Sequence, residues 1–92
     1  MFACGGALLI RVFTLKNCTL CEMLKLYLNK HGIAYEELDM ASPDAQTELL
    51  VNGVFTLSAP VLQVDNLFYR THDLFDDLGE IRSHIKTMLG GH

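Results

Sequence analysis

The sequence predicts an α/β fold: a four-stranded mixed sheet with helices on both faces, in the order β-α-β-α-β-β-α. Three observations predict it. A nearly continuous apolar run over residues 8–14 reads as a strand buried on both faces. A helix-spaced stretch separates it from a second short strand, and two strands joined through a helix imply a right-handed crossover and parallel pairing. Later, two short apolar runs flank Asp65-Asn66, a two-residue hairpin turn, so the second half of the sheet is antiparallel.

The elements follow in order. Residues 1–6 read as a loose tail ahead of the first strand. From about Thr19 the apolar positions Leu20, Met23, Leu24, Tyr27 and Leu28 take helical spacing, and Asn29-Lys30-His31-Gly32 supplies cations in the last turn and a left-handed stop. Residues 35–40 form the second strand. Ser42-Pro43-Asp44 starts a helix with a cap, a proline at the first position and an acid in the first turn. That helix runs to residue 50 or 51, before Asn52-Gly53. Strands at 61–64 and 67–70 make the hairpin. Leu74, Leu78, Ile81, Ile85 and Met88 then recur every three or four residues, as in an amphipathic closing helix ending at Gly90. Gly79 lies off that stripe, either as a tolerated surface glycine or as a break between two short helices. Tyr27, Phe55 and Phe75 are expected in the core. Phe68 and Tyr69 alternate on an edge strand, so one of them is expected to face solvent. Arg11 interrupts a buried strand and calls for a partner such as Glu36 or Glu37.

Ninety-two residues, half of them apolar and a fifth charged, form one soluble domain spanning 1–92 with no internal boundary. A formal charge of −4, with no Lys/Arg run, argues against nucleic-acid binding. The first residues lack a basic n-region and Arg11 breaks the apolar stretch, so neither a signal peptide nor a membrane span is expected. Three cysteines, an odd number, do not fit a secreted disulfide framework. A cytoplasmic protein is expected, and there a lone Cys-x-x-Cys is catalytic or metal-binding more often than structural.

That motif is Cys18-Thr19-Leu20-Cys21, set where the first strand gives way to the first helix. Unpaired N–H groups and the positive end of the helix dipole stabilise a thiolate there. Side chains three apart on a helix have Cβ atoms about 5–6 Å from each other. A disulfide needs about 3.5–4.5 Å. The first turn must bend to close the ring, which keeps the bond reducible. A zinc site would need Cys4 or His31, His72, His84 and His92, whose spacing matches no common pattern. No metal is expected.

With Cys18-Thr19-Leu20-Cys21 after the first strand, Tyr35-Glu36-Glu37-Leu38-Asp39 in the second and Ser58-Ala59-Pro60-Val61 before the third, the chain resembles the glutaredoxin-like proteins of the thioredoxin superfamily. The resemblance covers residues 8–88. It implies a cis proline at Pro60, packed opposite the cysteine pair, with Ala59 offering backbone hydrogen bonds to an extended substrate segment. Glutathione-using members usually carry a Gly-Gly pair before the last helix and an acid shortly after. Here Arg70 and Thr71 take the glycine places, while Asp73 matches the acid. Thr19-Leu20 likewise replaces the usual Pro-Tyr between the cysteines. The resemblance therefore implies a dithiol oxidoreductase close to the small hydrogen donors, reduced by a flavoprotein or ferredoxin-linked reductase rather than by glutathione.

The expected site follows. Cys18, at the helix mouth, is the exposed nucleophile. Cys21, one turn in, is shielded and resolves the mixed disulfide. The Cys18 thiol is expected to titrate below the free value of about 8.5, with Lys16 helping and Glu22 opposing if its carboxylate swings toward the sulfur. Lys16, Thr19, Leu20, Ala59, Pro60, Thr71 and Asp73 shape the substrate groove, with Asp73 also placed to cap the last helix, and His72 lies near it. The expected partners are disulfide-containing proteins and a dedicated reductase, with no cofactor beyond the Cys18–Cys21 disulfide and a monomeric state. Two other classes fit the same residues. One is an iron–sulfur or zinc carrier, and the other a non-enzymatic binding module of the same fold.

Overall fold

The structure, a computed structural model, describes residues 9–56 and 58–89. The expected tail, Cys4, the first residue of the expected first strand, the helix stop at Gly90 and the candidate ligand His92 lie outside them. The described elements are β1 (Ile10–Thr14), α1 (Thr19–Lys30), β2 (Glu36–Asp39), α2 (Pro43–Val51), β3 (Val61–Val64), β4 (Leu67–Tyr69), α3 (Thr71–Leu74) and α4 (Ser83–Met88). The strands form one sheet in the order β2-β1-β3-β4. β1 runs parallel to β2, and β1–β3 and β3–β4 are antiparallel. The mixed sheet therefore has the two apolar strands at its centre, where both faces are covered.

Alternation along β1 and β3 divides the core in two. Val12 and Leu62 face α1, α3 and α4, packing with Leu24, Leu28, Leu74, Phe75 and Ile85. Phe13 and Val61 face the other way, onto Met40, Ala45, Leu49 and Val54 around α2. Each fully buried aliphatic side chain contributes about 1.5–3 kcal/mol relative to exposure. Arg11, opposite Glu36 in the β1–β2 register, bonds its carboxylate at 3.1 Å and lies 3.9 Å from Glu48. The sequence-based reading of that arginine holds.

Local signals start and stop the elements as their chemistry dictates. Ser42 Oγ accepts the Ala45 N–H at 3.2 Å, capping α2 where Pro43 occupies the first turn. In the hairpin Asp65 takes φ +54°, a left-handed conformation that aspartate tolerates, and its carboxylate accepts the Leu9 N–H.

Three expectations are corrected. The continuous closing helix is two short helices, so Gly79 marks a break. Asp76 Oδ1 accepts the N–H groups of Leu78 and Glu80, competing with the helical ladder. Gly79 takes φ +78°, and Phe75 and Ile81 form an antiparallel bridge across the loop. Leu78 belongs to neither helix and is 85% exposed. Phe55, expected in the core, is 74% exposed because it follows Val54, which takes the inward position. Phe68 and Tyr69 are both half-buried, since each face of β4 meets one of the two cores.

Candidate active site

β1 ends at Thr14, and the turn through Leu15, Lys16 and Asn17 delivers the chain to α1. Asn17 makes the reversal at φ +57°, which asparagine tolerates better than most residues. Cys18 is the N-cap of α1, in extended backbone geometry, and its Sγ accepts the Cys21 N–H at 3.1 Å. Its carbonyl receives the Glu22 N–H. A cysteine thus occupies the position where Ser, Thr or Asp usually satisfies the free amides of a helix start. The same amide and the helix dipole favour negative charge on that sulfur.

The two sulfurs are joined in a disulfide, with their Cα atoms 5.2 Å apart. Their environments differ. Cys18 is half-buried, whereas Cys21 is 1% exposed and packed beneath it. Across from the pair, the Ala59–Pro60 bond is cis, and the Ala59 carbonyl oxygen lies 3.7 Å from Cys18 Sγ.

The remaining candidate residues fall on two sides of this centre. Thr71 Oγ1 donates to the Pro60 carbonyl at 3.0 Å, tying the start of α3 to the start of β3. Asp73 Oδ2 accepts the Arg70 N–H at 3.1 Å, and its other oxygen lies 3.6 Å from His72 Nε2. Its carboxylate therefore caps α3. Leu20 and Thr71 line one cleft together with Ser58 and His72. Lys16 and Thr19 are exposed at the turn and the first helical residue.

Glu22 turns away from the sulfur: its carboxylate meets Lys25 Nζ at 2.8 Å. Lys25 also bonds Glu37 at 3.1 Å, and Thr14 Oγ1 donates to the same Glu37 oxygen at 2.9 Å. The Glu22 and Glu37 bonds hold the Lys25 ammonium above its ordinary pKa. Lys25, and then the Thr14 hydroxyl, hold Glu37 below its own. Sequence reasoning missed this network; the three-residue spacing of Glu22 and Lys25 was its one local sign. It also missed Phe55, Thr56, Asp76, Asp77 and Arg82, which line the clefts beside the site. Among the described residues, no group of three or more His, Cys, Asp or Glu side chains is placed to hold a metal ion. Nor is any described helix long and apolar enough to cross a membrane.

A Cys-x-x-Cys disulfide at the mouth of α1, facing a cis-proline strand start on this sheet, defines a thioredoxin-fold thiol–disulfide oxidoreductase. The glutaredoxin family model matches residues 10–69, and the chain belongs to the glutaredoxin family. It is 28% identical over 61 residues to the glutaredoxin-like protein NrdH of Lactococcus lactis subsp. lactis (strain IL1403), covering 66% of this chain and 83% of that one. Its fold is similar to that of NrdH-redoxin from Escherichia coli, with TM-score 0.55 and 24% identity over 66% of this chain and 79% of the other. Glutaredoxin 1 from Francisella tularensis, in complex with cacodylate, is also similar: TM-score 0.53 and 18% identity, covering 70% and 83% of the two chains.

Proposed function

We propose that the protein reduces disulfides in other proteins through Cys18 and Cys21, and is itself reduced by a flavoprotein or ferredoxin-linked reductase rather than by glutathione. The observation that carries this reading is the unequal setting of the two sulfurs. Cys18 is reachable and its sulfur faces the Cys21 amide, while Cys21 is sealed one turn below.

In the cycle, the Cys18 thiolate attacks a substrate disulfide. That S–S bond breaks, a Cys18–substrate bond forms, and the departing sulfur takes up a proton. Cys21 then loses its proton and attacks Cys18 Sγ, releasing the second substrate sulfur as a thiol. Two electrons pass to the substrate and the Cys18–Cys21 disulfide remains. A reductase returns two electrons and two protons. Ala59 offers the backbone beside which an extended substrate can lie, and Pro60, Leu20 and Thr71 shape the surface around it.

Two features support a reductant other than glutathione. The Asp73 carboxylate is already engaged by the Arg70 N–H and faces His72, which leaves it less able to receive a ligand ammonium. Arg70 and Thr71 carry side chains where glutathione users have glycines. A monomer in the cytoplasm, serving electron transport and redox homeostasis, goes with the same reading.

The test compares reduction of the oxidised protein by glutathione, by an NADPH-linked thioredoxin reductase and by a ferredoxin-linked reductase. Turnover with a reductase and little with glutathione is expected, and fast turnover with glutathione overturns the assignment. Cys21→Ser should trap a mixed disulfide through Cys18, and Cys18→Ser should abolish the first step. Equal residual turnover in both variants overturns the division of roles.

A further inference from the structure

Two clefts are lined by residues on either side of Cys18 in the chain, Leu15 in one and Leu20 in the other, and their walls differ in chemistry. One is walled by Leu15, Leu49, Leu50, Val54 and Phe55, and Thr56 also lines it. Leu49 and Val54 form its buried floor, while Phe55 at 74% and Leu50 at 56% exposure stand uncovered. Contiguous apolar surface of this kind marks an interaction site. The other cleft is lined by Leu20, Ser58 and Thr71 and carries Asp76, Asp77 and Arg82. Thr56 lines both, so the clefts meet on the segment that leads into Ala59–Pro60. Cys18 lies between Leu15 and Leu20 in the chain, and its sulfur is 3.7 Å from the Ala59 carbonyl.

The polar cleft has a sign. Two carboxylates and one guanidinium line it, and Arg82 Nε already donates to the His72 carbonyl at 3.1 Å. Backbone N–H bonds from Glu80 and Leu78 hold the Asp76 carboxyl below its ordinary range, so it stays ionised at neutral pH. The His72 ring on the rim faces Asp73. The whole chain adds a formal charge of −4.

The geometry points to an extended, disulfide-bearing protein segment as the occupant of both clefts, with a bulky apolar side chain on one side of its reacting cysteine and a basic side chain on the other. This rests on Cys18 being the attacking sulfur, and it deepens that reading by naming the substrate's flanking chemistry. Leu15 and Leu20, which bracket Cys18 in the chain, line different clefts and Thr56 lines both, so a single strand laid past Ala59 can reach the two. Filling an apolar pocket with a bulky side chain discriminates by about tenfold or more. The acidic cleft adds a salt-sensitive preference for a cation. Glutathione has no bulky apolar side chain for the first cleft, and its single ammonium comes with two carboxylates.

The experiment uses the reduced full chain and short peptides whose single cysteine is disulfide-linked to 5-thio-2-nitrobenzoate. Attack on the peptide sulfur releases the chromophore and leaves the peptide on Cys18. Four flanking pairs are compared in both orders: Phe/Lys, Ser/Lys, Phe/Asp and Ser/Asp. Bis(2-hydroxyethyl) disulfide reports the cysteine pair alone. The Phe/Lys peptide is expected to exceed Ser/Asp about tenfold or more in the second-order rate constant for chromophore release. Phe55→Ser should shrink the Phe-over-Ser preference, and Asp77→Asn or high salt the Lys-over-Asp preference. Equal rates for all four peptides, with the small disulfide still reduced, overturn the docking inference and leave the redox pair standing. Failure to reduce the small disulfide overturns the reading of the pair itself. Concentration-dependent dimerisation that shields Phe55 would assign the apolar cleft to a second copy and overturn the inference.

Discussion

Replacing Thr71 with valine isolates one hydrogen bond at the join between the candidate site and the rest of the fold. Valine keeps the branched shape and removes the hydroxyl that donates to the Pro60 carbonyl at 3.0 Å. The side chain is half-buried and Pro60 is fully buried, so water only partly replaces the lost donor. A neutral hydrogen bond is worth about 0.5–1.5 kcal/mol net, and a carbonyl left short of its partner adds to the loss. The expected destabilisation is about 1–2 kcal/mol. For a chain of 92 residues each kcal/mol lowers Tm by roughly 4–8 °C. Urea unfolding of the oxidised protein, read as a shift in midpoint at constant slope, measures it. Thr71→Ser keeps the donor and loses a methyl, so it should stay closer to the parent. A Thr71→Val midpoint equal to the parent's, with Thr71→Ser the less stable, would show that the methyl and not the hydroxyl holds α3 to β3.

Glu37 makes stability depend on pH. Its carboxyl is held below the ordinary value first by Lys25 and then by the Thr14 hydroxyl, so its contribution is full above the unfolded value of about 4.3 and fades as pH falls through the folded one. Lys25 is raised, so its contribution is full below about 10.4 and fades as pH climbs through the folded value. Glu37→Gln should therefore cost at most about 1 kcal/mol at pH 7, because the carboxylate is half exposed, and the gap in urea midpoint should close in acid. A gap unchanged at low pH would contradict the linkage. Gly79→Ala tests the break in the C-terminal helical region. At φ +78°, with nothing within 4 Å of an added Cβ, the cost is conformational, about 1 kcal/mol, seen as a lower melting temperature. An unchanged or raised melting temperature would contradict the left-handed requirement.

The sheet and the first two helices were legible because their signals are local. Residues Ser42-Pro43 start α2, Asp65-Asn66 turns the hairpin, and the apolar run of β1 needs both faces covered. The cysteine pair was legible for the same reason, as both sulfurs lie in one helical turn. The C-terminal region was not, because Leu74, Ile81 and Ile85 keep helical intervals while belonging to separate pieces of chain. What breaks them apart is a side-chain bond, Asp76 to Leu78 and Glu80, which competes with the helix in a way apolar spacing does not register. The clefts were illegible for another reason. Leu15, Leu50 and Phe55 come from three connections or helix ends that only the tertiary fold brings together. The same holds for Thr14, Lys25 and Glu37, drawn from β1, α1 and β2.

The two cores also explain why the cysteine pair sits where it does. Leu20, next to Cys21, packs against the core beneath α1, whereas Ala59, beside the Cys18 sulfur, packs against the core around α2. The site thus bridges the two faces of the sheet at the end of β1, and both central strands beneath it are buried along most of their length. Close-packed strands move little, so the separation between the helix mouth and the Ala59 carbonyl is set by the sheet rather than by the loops alone. Loops carrying chemistry on a rigid scaffold are free to vary in lining while the reacting atoms stay in register. On this chain the two clefts lined by the neighbours of Cys18 differ in this way, one apolar toward α2 and the other carrying Asp76, Asp77 and Arg82 beyond α3. Substrate preference can therefore change through Phe55 or Asp77 without moving the disulfide.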